Sequence, residues 1–249
     1  MSDNMGCIVF AIVSGKGGAG KSTVACGIGG AFAEAGYKTL LIDADEGLRC
    51  LDLMLGVAAD VVFDTGDVIA EHCTLDDALK TVPGMRKLHL LPAPIQHGTV
   101  GDGWAGLVKD LRGRYDRIII DSTAGVGDGF SAAVSCADSA LVVVGSDPVS
   151  IRDARSVCTL LDDAGVRIRR MIINRYDYKA VKTSLAPHLD RMIDSTALRL
   201  IGVVPYDRLL TVGAIKGRLP QKGHAKRAFA RIASRLNGKS VKLPKLKKI

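Results

Sequence analysis

Seven short apolar runs constrain this chain more than any other feature. They are Cys7–Val13, Thr39–Ile42, Leu88–Leu91, Arg117–Ile120, Ala140–Val144, Met171–Ile173 and Leu200–Val204. Each is rich in Val, Ile and Leu, without polar alternation, as in strands buried on both faces. Stretches with helical spacing lie between them: Ser22–Ala35 before Gly36, Leu107–Arg114, and Ser150–Ala164 before Gly165. Glycine just past the last periodic residue is a helix stop. Alternating strand and helix predicts an α/β fold, a mainly parallel sheet covered by helices. Residues 1–237 read as one domain and 238–249 as a short basic, weakly amphipathic tail, with the break at Asn237–Ser240.

Composition narrows the function classes. Six cysteines, at 7, 26, 50, 73, 136 and 158, form no Cys-x-x-Cys pair. They read as reduced core thiols of a cytoplasmic protein rather than metal ligands. Aromatics are only 4% of the chain, too few for extensive stacking platforms. Cys7–Val13 is too short for a signal core, and no run reaches the roughly 18 apolar residues of a membrane span. Charge is unevenly placed. From Arg208 to Ile249 there are 13 Lys or Arg and no acid, leaving 21 basic against 26 acidic residues before it. Such a basic end suits an anionic surface, either membrane or nucleic acid.

The first apolar run leads into Gly15-Lys16-Gly17-Gly18-Ala19-Gly20-Lys21-Ser22-Thr23, which matches Gly-x-x-x-x-Gly-Lys-[Ser/Thr]. A buried strand precedes it and a helical stretch follows. Glycines let successive backbone N–H groups converge on phosphate oxygens, and the helix N-terminus adds partial positive charge. Lys21 is expected on the β- and γ-phosphates, and Ser22 on Mg²⁺. Carboxylates at strand ends, Asp43, Asp45 and Asp121, are the candidates for the metal side.

The loop, with its additional Lys16, resembles the deviant Walker A motif of the MinD/ParA superfamily of P-loop ATPases. Leu41–Gly56 resembles the switch I segment of the MinD branch, and Asp121–Gly129 resembles switch II. "INRYDY" and "IGVVPYD" resemble the segments beside adenine. The resemblance implies a three-layer P-loop NTPase fold with helices on both faces of the sheet. It implies ATP and Mg²⁺ as ligands, and a homodimer in which Lys16 reaches the partner's phosphates. By the same resemblance Asp45 positions the attacking water, Asp121 holds Mg²⁺ through water, and Asp43 lies near the metal or its waters. Asn174 reads the adenine amino group, while Pro205 and Asp207 pack beside the base. Three departures from the family pattern, Cys50, Thr123 and a Gly145–Ser156 stretch one residue shorter than the usual counterpart, fall near the expected dimer face and the partner helix.

The resemblance also implies a cycle. The ATP-bound dimer binds the inner face of the cell membrane through a C-terminal amphipathic segment, here Lys242–Ile249. It recruits a MinC-like division inhibitor, answers to a MinE-like or other regulator through the Ser150–Ala164 helix, and resets by hydrolysis. Leu243, Leu246 and Ile249 follow one another at i, i+3, i+6 with lysines between. The alternative is a ParA-like partition ATPase, or a flagellar-number relative, holding DNA through Lys226, Arg227, Arg231 and Arg235. An electron-transfer relative would need cluster cysteines, and Asp121–Gly129 contains none. A nucleotide-sensing scaffold without turnover is the fourth reading.

Overall fold

The computed structural model describes residues 6–96, 103–125 and 127–248. Each of the seven apolar runs forms a strand. The strands are β1 (Ile8–Val13), β2 (Thr39–Asp43), β3 (Lys80–Thr81), β4 (Leu88–Leu91), β5 (Arg117–Asp121), β6 (Ser139–Gly145), β7 (Arg169–Tyr176) and β8 (Arg199–Pro205). The helices are α1 (Lys21–Glu34), α2 (Leu51–Leu55), α3 (Thr65–Ile69), α4 (Leu75–Ala78), α5 (Trp104–Leu111), α6 (Asp128–Ser135), α7 (Pro148–Asp163), α8 (Tyr178–Lys182), α9 (Leu189–Thr196), α10 (Arg208–Ile215) and α11 (His224–Leu236). One sheet runs β3-β4-β2-β5-β1-β6-β7-β8. Among the described residues only the two-residue β3, absent from the sequence expectation, pairs antiparallel.

Successive strand residues face opposite layers. Val9, Ala11, Val13, Ile118 and Ile120 join one core, packed by α5, α6, α7 and α9. Phe10, Ile12, Ile119 and Leu141 join the other, packed by α1, α2 and α11. Apolar residues on both faces explain the unbroken hydrophobic runs. Gly27 of α1 lets α11 approach closely, since a Cβ there would lie 2.3 Å from the Phe229 ring.

Helix α7 starts two residues earlier than its spacing suggested. Asp147 caps it by accepting from the Ser150 N–H at 2.9 Å, and Pro148 fills the first turn. Its face is as expected, with Ala154, Val157 and Leu161 buried. Helix α5 lies three residues earlier than its predicted span, with Trp104 as its first buried residue.

The body and the C-terminal segment are in contact. The buried Arg117 guanidinium donates to Asn237 Oδ1 at 2.8 and 3.1 Å and lies over the Tyr37 ring. Arg235 donates to the carbonyls of Val241 and Ile201. Leu243 and Leu246 pack against the first core, and Leu246–Lys248 makes a 3-10 turn. Ile249, the third aliphatic of the tail pattern, lies outside the described residues, as does Val126 of the switch II segment.

Candidate nucleotide site

Strand β1 sits between β5 and β6, so its C-terminal loop opens where the chain crosses from one half of the sheet to the other. Ligands of parallel sheets bind at such crossings. Three features converge there: the loop after β1, Asp43 at the end of β2, and Asp121 at the end of β5. Asp121 is the register partner of both Ile12 and Asp43.

The loop is held in shape by its glycines and by two neighbours. Gly18 (φ 76°) and Gly20 (φ 91°) take left-handed conformations that favour glycine. Gly20 caps α1, and Lys21 begins it with only 8% of its surface exposed. Ser22 and Thr23 follow in the first turn. Gly15 is required for a different reason. A Cβ there would lie 2.7 Å from the Cβ and carbonyl oxygen of Asp153, so α7 runs directly against the loop. From the other side Asn174 Nδ2 donates to the Ala19 carbonyl at 2.9 Å.

The two lysines are placed differently. Lys21 is buried in the cradle. Lys16 is 46% exposed at the rim, its ammonium 3.6 Å from Asp147. The sequence shows Asp147-Pro148 as a helix-start signal but carries no sign of this pairing.

Asp43 and Asp121 are both fully buried, yet they serve different purposes. Asp43 accepts from the N–H groups of Asp45 (3.0 Å), Cys50 (3.1 Å) and Leu51 (3.1 Å). It therefore folds the segment that carries Asp45 and starts α2. Both oxygens of Asp121 lack a hydrogen-bond partner among the described residues. Burial first, and then the Asp43 carboxylate beside it, push the Asp121 pKa well above the carboxylate range. The nearby Ser22 hydroxyl and Lys21 ammonium pull the other way. Burial likewise raises Asp43. A buried carboxylate without partners suits a cation whose charge would restore the ionised form. The residues present thus fit a hydrated Mg²⁺ on Ser22 and Asp121.

Cys50, the departure in switch I, points at the metal side. Its thiol donates to Ser22 Oγ at 3.3 Å, and burial pushes its pKa up to about 11, so it is a neutral thiol. The base side is less uniform. Asn174 Oδ1 is buried and unpartnered, an acceptor suited to an amino group. Pro205 ends β8 in register with Tyr176. Asp207 is already occupied, accepting from Leu209 N of α10 and Ala225 N of α11. It fixes the wall on that side.

A parallel sheet, a glycine-rich phosphate loop ahead of α1 and a buried strand-end carboxylate define a P-loop ATPase. Residues 10–219 match the CobQ/CobB/MinD/ParA nucleotide binding domain family, to which the chain belongs. Within that family its similarities run to the septum site-determining proteins MinD. The chain is 35% identical to septum site-determining protein MinD of Synechocystis sp., over 94% of its own length and 90% of that protein's. It superposes on MinD in the MinC:MinD cell division protein complex of Aquifex aeolicus with a TM-score of 0.89 and 36% identity. That match covers 96% of this chain and 98% of the other. MinD of Pyrococcus horikoshii, solved with Mg-ADP, matches with a TM-score of 0.84 and 28% identity, covering 93% and 96%. Among the described residues no helix is long and apolar enough to cross a membrane.

Proposed function

We propose that this ATPase is a MinD-like switch that dimerises on Mg·ATP, docks on the membrane, recruits a division inhibitor and resets by hydrolysis. The position of Lys16 carries this reading. A cation already inside the cradle, Lys21, serves the phosphates of its own subunit. A second one, half-exposed at the rim and held by Asp147, is available to a second copy. A cation delivered to a neighbour's phosphates stabilises charge on the transferring phosphoryl group, the logic of a finger supplied in trans.

The other roles follow from placement. Backbone N–H groups of Gly15–Ser22 would cradle the phosphates, and Thr23 extends that turn. Ser22 would ligate Mg²⁺, with Asp121 acting through water and Asp43 organising the segment behind it. Bound Mg²⁺ neutralises phosphate charge. Asp45, held by its N–H bond to Asp43, would position the attacking water. Asn174, Pro205 and Asp207 would line the base pocket. The MinC partner is supported by the Aquifex complex, and the exposed side of α7 is the docking element we assign to it and to a MinE-like regulator.

For the tail, Lys242, Lys245 and Lys247 supply charge toward anionic lipid at about 1 kcal/mol each near the surface. Leu243 and Leu246 supply apolar area once they leave the body. Two tails on one dimer gain by effective concentration. Sedimentation with anionic vesicles tests this. Binding is expected in ATP, reduced in ADP, and lost when Lys242–Ile249 is deleted. Equal binding in both nucleotides sinks the switch. The DNA reading has its own support: burial first, and then the neighbouring Arg227 and Arg235 guanidiniums, hold the Arg231 pKa below the usual arginine value, so three cations cluster on α11. Retention on duplex DNA without vesicle binding would favour it.

A further inference from the structure

A second concavity lies away from the nucleotide loop, between α7 and the 184–195 segment that ends in α9. Its volume is about 560 Å³, within the range of roughly 300–1,000 Å³ typical of ligand clefts. Arg152 and Arg155 line one wall, and Arg191 and His188 the other. Ile151 and Leu185 add apolar surface, with Leu185 83% exposed. Among the described residues lining the cleft, none is Asp or Glu.

The three guanidiniums are not equivalent. Arg155 donates through Nε to the Ser195 carbonyl, tying α7 to α9 and fixing the cleft's width. Arg152 is 77% exposed and has only a long contact to Asp153, at 3.4 Å. Arg191 is exposed on α9. A basic cleft with apolar patches and no carboxylate in its lining is complementary to carboxylates carried beside an apolar side chain. Guanidinium forks bind carboxylates in two-point geometry. No Phe, Tyr or Trp lines the cleft as a platform for stacked bases; His188 is its one ring. A flat bilayer cannot follow a concave wall.

We infer that this cleft is a docking site for an acidic peptide segment of a partner protein, with Arg152 and Arg191 taking its carboxylates and Leu185 its apolar anchor. The inference names the chemistry of the partner assigned to α7 and rests on that reading.

The test is a titration of the full chain with a fluorescein-labelled peptide alternating Glu and Leu. Saturable binding that weakens as salt rises is expected. The Arg152→Glu, Arg191→Glu double variant should raise Kd at least tenfold, and Leu185→Ala about threefold. All three positions are exposed, so folding is checked simply by an unchanged melting curve. An unchanged Kd in the double variant overturns the proposal. So does equal binding of a matched peptide with Gln for Glu. If the variants lose affinity for duplex DNA or anionic vesicles while peptide binding is unaffected, the cleft is a polyanion site and the proposal fails. ATP hydrolysis and vesicle sedimentation should be unaltered in the variants. Absence of ATP-dependent sedimentation in the wild type would reject the switch while leaving the peptide result to stand on its own.

Discussion

A methyl group added at Gly15 would collide with the backbone of α7, 2.7 Å away. Overpacking of this kind costs about 1–3 kcal/mol. Gly15→Ala should therefore lower the melting temperature by several degrees and weaken nucleotide binding, both read by thermal shift with and without Mg·ATP. An unaltered melt with unaltered affinity would show that α7 yields freely. His89 on β4 offers a different residue-scale prediction. Burial, together with Lys38 and Arg114, holds its pKa below the usual histidine value. Its ring lies edge-on to Tyr115 and its Nδ1 has no partner among the described residues. A depressed folded-state pKa means the unfolded chain takes up the proton more readily. The contribution is present above the unfolded value near 6.5 and is lost as pH falls through the folded one. From pH 7 to pH 5 the wild type should lose more of its urea midpoint than His89→Gln; parallel losses would reject this. Legibility at this scale was mixed. The phosphate loop is a local pattern and was readable. The Lys16–Asp147 pair joins two distant loops, and nothing in the spacing of either announces it.

At the scale of elements, every strand on the apolar runs was legible, because burial on both faces leaves a continuous hydrophobic signature. The two-residue β3 was not, since so short an edge has no pattern to show. Helix α7 began at Pro148 rather than Ser150 because cap chemistry, not periodicity, sets a helix start. The junction after α11 gives this scale its prediction. Asn237 is the acceptor for two N–H groups of the buried Arg117. Asn237→Ala would leave Nε and Nη2 of that guanidinium without their acceptor, with only Nη1 still donating to the Asp116 carbonyl at 2.6 Å, at a cost of about 1–3 kcal/mol. Asn237→Asp keeps an acceptor and should recover most of the loss. Urea denaturation reads both, and equal stability of the Ala variant would show the bond to be dispensable. The sequence marks Asn237 only as a helix stop; its partner lies 120 positions earlier.

For the whole molecule, the parallel sheet places Asp43, Asp121 and the phosphate loop at one end, and this was legible from strand order and motif together. The proposed assembly is tested at Lys16. Lys16→Ala should still bind nucleotide, through Lys21 and the loop, yet lose ATP-driven dimers and most hydrolysis. Analytical ultracentrifugation and phosphate release measure the two, and normal turnover by the variant would remove the trans role. The contact of Gly15 with Asp153 adds a further consequence. Helix α7 carries one wall of the basic cleft, caps itself with the residue that holds Lys16, and backs onto the loop that binds phosphate. A peptide in the proposed cleft and a nucleotide in the loop would thus meet the same helix from two sides. Thermodynamic linkage then makes their influence mutual: whatever factor Mg·ATP imposes on peptide affinity, the peptide must impose on Mg·ATP. On the proposed reading, the order in which the two ligands arrive would not alter that factor.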